Sequence, residues 1–152
     1  MNEDKKIYEN IDLNSILDEL KLHRGLSSIP NLEIELYELN VASAGALNSI
    51  DNKQTKAEHD KILGVFSFYK GNGSETVGSK FRMIVGNKPL ISTDFLDFSV
   101  IEKTNYISVE QAAFRLDFPI NSSDVKIEYK DGGTEAIPYK VYFAFIVHKK
   151  AL

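Results

Sequence analysis

The chain has 152 residues, 43% hydrophobic and 26% charged, a balance expected of one globular domain able to bury roughly 70% of its unfolded surface. Its 18 basic residues are spread along the sequence and the formal net charge is −4, so no cationic stripe is available to grip a phosphate backbone and nucleic-acid binding is not expected. Cysteine is absent, which excludes disulfides, thiolate metal sites and thiol nucleophiles.

The opening "MNEDKKIYENIDLNS" contains no apolar run of about seven residues, so no secretory leader is expected there. Nor does any stretch approach the roughly 20 apolar residues of a membrane span. Residues 1–31 stand apart from the rest. Ile7, Tyr8 and Ile11 lie among charges in an extended arm, and Leu13, Ile16, Leu17 and Leu20 recur at i, i+3, i+4 and i+7, which predicts a short amphipathic helix. Asp12 or Asn14 suits its start, Lys21, His23 and Arg24 its negative end, and Gly25 its stop. A helix of about ten residues is marginal alone in water, so it must dock. Ile7, Tyr8, Ile11 and Leu13 are therefore candidates for contact with a neighbouring subunit, with packing on the chain's own core as the alternative.

From residue 32 the period becomes two, and residues 32–152 read as one β-domain. In "LEIELYELNV", Leu32, Ile34 and Leu36 alternate with acids, predicting a half-buried strand with a bulge near Tyr37. Residues 42–60 are small and polar and read as a long surface connection. "KILGVFSFYK" is the next strand, and "KFRMIV" follows the glycine-rich stretch after it. Gly86-Asn87 suits a two-residue hairpin turn into "LIS", because both residues tolerate positive φ. Further strands are predicted at "FLDFSVI", "NYISV", "AFRLDF" and "DVKIEY". "KDGGTEAIP" then closes a hairpin into "YKVYFAFIVHKK". That last strand carries Tyr139, Val141, Phe143, Phe145 and Val147 on one face and Tyr142, Ala144 and Ile146 on the other, which places it centrally. Eight or nine short strands and one helix predict an all-β antiparallel sandwich or barrel.

"GSETVGSK" comes close to the phosphate-binding pattern G-x-x-x-x-G-K-[ST]. Gly73 and Gly78 have its spacing, but Ser79 and Lys80 are transposed. A nucleotide loop also needs a helix after the glycines, whereas Phe81, Met83 and Val85 alternate as a strand. The glycines are better explained by backbone angles in a hairpin tip. Gly71, Asn72 and Gly73, with Asp131 and Gly132 in the later glycine pair, are candidate outward or partner-facing tips.

Other chemistry is weakly signalled. The three histidines are scattered at His23, His59 and His148 with no H-x-H pair. "EHD" at 58–60 reads as a solvated turn, with a surface metal site as the alternative. No G-x-S-x-G occurs, and Asp94, Asp97, Asp117 and Asp124 fall at strand ends. Asp94 and Asp97 with Asp131 would make a calcium site if their loops converged. A sugar-binding sandwich would need aromatic platforms. There is no tryptophan, and Tyr69 and Tyr106 are the candidates outside the last strand. No cofactor, metal or enzymatic activity is expected.

The run from "GVFSFY" through "KFRMIVGNKPLISTDF" and "RLDFPINSSDVKIEYKDGG" to "IPYKVYFAFIV", about residues 60–148, resembles the single jelly-roll proteins at or beside the capsid vertices of tailless phages. The resemblance lies in strand order and turn positions. It implies a jelly-roll sandwich with an N-terminal arm and a structural role as a minor capsid or penton-type protein. It also implies homo-oligomers with a pentamer favoured, neighbouring capsid proteins as partners, outward loops to which a spike could attach, and a place in a virion assembled in the host cytoplasm. A monomeric carbohydrate- or ligand-binding sandwich is the alternative.

Overall fold

The computed structural model describes residues 31–70, 77–103, 108–133 and 138–150. They form two antiparallel sheets built from nine strands: β1 (Leu32–Val41), β2 (Leu47–Gln54), β3 (His59–Lys70), β4 (Lys80–Val85), β5 (Lys88–Pro89), β6 (Leu96–Asp97), β7 (Phe114–Pro119), β8 (Asp124–Lys130) and β9 (Tyr139–Lys149). One sheet runs β1-β9-β3-β7. The other runs β2-β8-β4-β5, with β6 pairing the same strand β4.

The expected all-β sandwich is what forms, and β9 lies centrally between β1 and β3. Its two faces divide as their alternation dictates. Tyr139, Val141, Phe143, Phe145 and Val147 enter the core between the sheets, against Phe81, Met83 and Val85 of β4 and Val125, Ile127 and Tyr129 of β8. Tyr142, Ala144 and Ile146 belong to a second cluster on the outer face of the sheet, with Phe66, Phe68, Val109 and Ala112. Val109 and Ala112 come from α1 (Val109–Ala112). Ser108 Oγ accepts from Gln111 N–H, and the Gln111 side chain accepts from Ser108 N–H in return.

This outer cluster reverses the expected orientation of β1. Leu32 and Ile34 pack outward on it, and Leu36 is 37% exposed. The inward face instead carries Glu35, Tyr37, Leu39 and Val41, all buried. No bulge occurs near Tyr37: the register with β9 is unbroken from Leu32↔His148 to Val41↔Tyr139. The apparent change of period is a strand with apolar residues on both faces and a polar patch at one end. The bulges lie in β3 instead, where register shifts between His59 and Lys61 and between Ile62 and Gly64 let His59, Ile62 and Val65 all face inward.

Other expectations are also corrected. The polar stretch 42–60 contains strand β2, which pairs with β8 and is kinked where Asn52 adopts φ +58°. β3 and β4 lie in different sheets, as do β8 and β9, so neither pair forms the expected hairpin. Val109, expected in a strand, begins α1, and Phe98–Val100 is a 3-10 turn after β6. The Gly86-Asn87 turn forms as expected, with φ +58° and +64° between the paired Val85 and Lys88. Lys80–Val85 is a strand, so no helix follows Gly78 and the phosphate-loop reading fails.

Candidate functional site

Two buried polar clusters sit at opposite ends of the sandwich. The first centres on Asp131, which follows β8 and is 4% exposed. One carboxylate oxygen accepts from the Tyr139 hydroxyl. The other accepts from Gly45 N–H at 2.8 Å and Gly133 N–H at 3.1 Å. Since Tyr139 donates to Asp131, the Tyr129 hydroxyl 2.9 Å away donates to Tyr139. Gly132 N–H donates to Ser79 Oγ at 2.9 Å. A Cβ on Gly132 would lie 2.2 Å from the Val77 carbonyl oxygen. The β1–β2 loop, the approach to β4 and the segment after β8 are thus bound into one knot.

Asp131 and Gly132 are accordingly anchors beneath that end of the molecule, not outward tips. The Asp131 carboxylate is occupied by protein donors, and no convergence of Asp94, Asp97 and Asp131 appears among the described metal-competent clusters. Burial raises the Tyr129 phenol to about 12. It also raises Tyr139, where the hydrogen bond to Asp131 adds to the effect.

The second cluster surrounds His59 at the start of β3, 1% exposed. Its Nδ1 lies 2.7 Å from Glu35 Oε2, and its Nε2 lies 2.6 Å from Glu33 Oε1. Glu35 is itself buried, and its Oε1 accepts from Tyr37 O–H at 3.0 Å and Lys56 N–H at 3.1 Å. Glu33 is half-exposed, and the hydrogen bond from His59 holds its carboxyl below the usual range. Each ring nitrogen of His59 thus faces a carboxylate oxygen. Donor atoms of Glu33, Glu58 and His59 all fall within 4.8 Å of one another. "EHD" is therefore more than a solvated turn. His59 turns inward through the β3 bulge, while Asp60 turns away to pair with His148 Nδ1 at 2.8 Å. That bond lowers the Asp60 carboxyl.

An enzyme reading would gain from His59 with two carboxylates in a cleft. The carboxylates are present, but His59 lines none of four depressions among the described residues, and both its nitrogens face glutamates. One of these depressions, about 460 Å³, lies around Asp51, Lys53, Asn87 and Lys126. Tyr69 is fully buried, which removes it as a sugar platform. Ile7, Tyr8, Ile11, Leu13, Gly71, Asn72, Gly73 and Tyr106 lie outside the described residues.

The partners of His59 were legible only in part. Glu33 and Glu35 stand at i, i+2, which places them on one face of a strand, but the alternation with leucines pointed that face to solvent. Compared with family models, curated proteins and solved structures, the chain finds no match.

Proposed function

We propose that this chain is a structural virion protein, a minor capsid or vertex subunit of jelly-roll type that works through subunit contacts and not through chemistry. The observation that carries the reading is the order in which strands pair. β1 pairs with β9, β2 with β8, β3 with β7, and β4 with β5, and successive pairs alternate between the two sheets. A long antiparallel hairpin wound over itself would give this order, which favours a double-sheet jelly roll.

A second feature favours assembly. β1 is ten residues long and, among the described residues, lies at the edge of its sheet. Long edges invite pairing, and lateral packing of copies is one way to cover them. On this reading the chain forms a closed homo-oligomer, a pentamer by preference, through residues 1–31 and the sheet edge. It meets neighbouring capsid proteins, and a spike where one attaches, in a virion assembled in the host cytoplasm. The ligand-binding alternative has lost Tyr69, one of its two aromatic platforms.

The test is the native mass of the purified protein with and without residues 1–25. A closed oligomer that weakens on truncation is expected. A monomer in both forms, up to the concentrations at which shell proteins assemble, would overturn the reading.

A further inference from the structure

We propose that Glu33, Glu58 and His59 form a binding site for a divalent transition cation of the zinc class, at the end of the sandwich where the chain enters β1. The proposal stands independently of the assembly reading.

The donor set is built from the inside outward. His59 is 1% exposed, and its Nδ1–H is fixed by Glu35, a carboxylate 5% exposed. Glu35 is held in turn by the Tyr37 hydroxyl and the Lys56 amide. A histidine that donates one ring N–H to a buried carboxylate and presents the other nitrogen to a metal is the arrangement by which proteins orient imidazole ligands. Nε2, the presented atom, points at Glu33, with Glu58 beside it. These two carboxylates are the mobile members: their side chains are 41% and 48% exposed, against 1% and 4% for His59 and Glu35.

The adjustment needed is small. Bonds of about 2.0–2.2 Å at tetrahedral angles set ligand atoms roughly 3.3 Å apart. Glu33 Oε1, now 2.6 Å from Nε2, would retreat by less than about 1 Å. The widest separation in the set, within 4.8 Å, would close by no more than about 1.5 Å. Both movements are rotations of exposed glutamate side chains. The cation takes the place of the Nε2–Glu33 contact, while the bond between Nδ1 and Glu35 persists. One imidazole with two carboxylates suits zinc, cobalt or manganese better than magnesium, and leaves a fourth position for water. Lys149, whose Nζ is 3.7 Å from Glu58 Oε2, competes for that carboxylate and moderates the affinity.

The experiment is calorimetric titration of Zn²⁺ into metal-stripped full-length protein near neutral pH, in two buffers of different ionisation enthalpy. One-to-one saturable binding is expected in both buffers. Glu33→Gln and Glu58→Gln should each weaken it by about tenfold or more, and His148→Gln, at the neighbouring Asp60–His148 pair, should leave it unchanged. Mg²⁺ should produce no saturable heat. Glu58 is exposed, so Glu58→Gln keeps the test decisive even if Glu33→Gln loosens the fold, and metal-free thermal melts check this. Absence of saturable Zn²⁺ binding, binding that survives Glu58→Gln, or binding that disappears in His148→Gln would each overturn the proposal.

Discussion

At the scale of single residues, Gly132 and Gly45 separate two reasons for glycine. Gly45 has φ +64° with open space around its Cβ position, so an alanine there meets only the left-handed backbone penalty, about 1 kcal/mol. Gly132 has no such angle to relieve. Its Cβ would meet the Val77 carbonyl at 2.2 Å and the Ser79 amide nitrogen at 3.1 Å, both backbone atoms that cannot swing aside. Gly132→Ala should therefore cost more, about 2–3 kcal/mol, because the knot around Asp131 must open to admit it. Urea denaturation of both variants checks the order, and equal midpoints would show that the contact yields easily. Asp131 explains why this knot is held so close: three donors reach one buried carboxylate, and hydrogen bonds to charged groups are the stronger kind.

At the scale of elements, β9 carries the sandwich. Phe143 is fully buried and meets the rings of Phe81, Phe98 and Tyr129 from the opposite sheet or its approaches. Phe143→Ala should destabilise the protein by about 3–5 kcal/mol, whereas Val100→Ala, 43% exposed after β6, should stay within about 0.5 kcal/mol. Thermal or chemical melts of the two variants measure the contrast. β9 was legible because each of its faces is apolar in full, so its central place followed from alternation alone. β2 was not, since its two apolar residues, Leu47 and Ile50, stand three apart, which is no strand period, and only Ile50 is buried. β1 was read with the wrong face inward, because Leu32 and Ile34, which looked like core, belong to a second cluster under α1, and Leu36 is exposed. α1 itself had a signature in Ser108 and Gln111, the two ends of a capping box, which the β-branched residues around it obscured. The candidate site was half visible: His59 drew notice, but its glutamates lie 24 and 26 residues away across a bulge that no local pattern announces.

For the whole molecule, buried phenols tie stability to alkaline pH. Burial raises Tyr37, Tyr129 and Tyr139 above the ordinary tyrosine value, with Glu35 reinforcing the first and Asp131 the last. A raised acid holds its proton more tightly in the fold than in the unfolded chain. Its contribution is whole below about pH 10 and is lost as the pH climbs from there through the folded-state values. These three phenols should then ionise only as the sandwich opens. Phenolate absorbance and far-ultraviolet circular dichroism, followed together above pH 10, should show a shared step. Their gradual ionisation with the sheets intact would contradict the burial.

The pairing of β1 with β9 also sets how the sandwich would bear a load. Asn31 accepts from the Lys149 amide, so the chain enters β1 and leaves β9 at the same pole, as neighbours. Tension applied through these two points pulls along the rungs and not across them, and peels β1 from β9 one hydrogen-bonded pair at a time, beginning at Leu32 and His148. The structure is thus weak to traction at that pole. A pull between that pole and the knot at Asp131 would instead have to break many rungs at once.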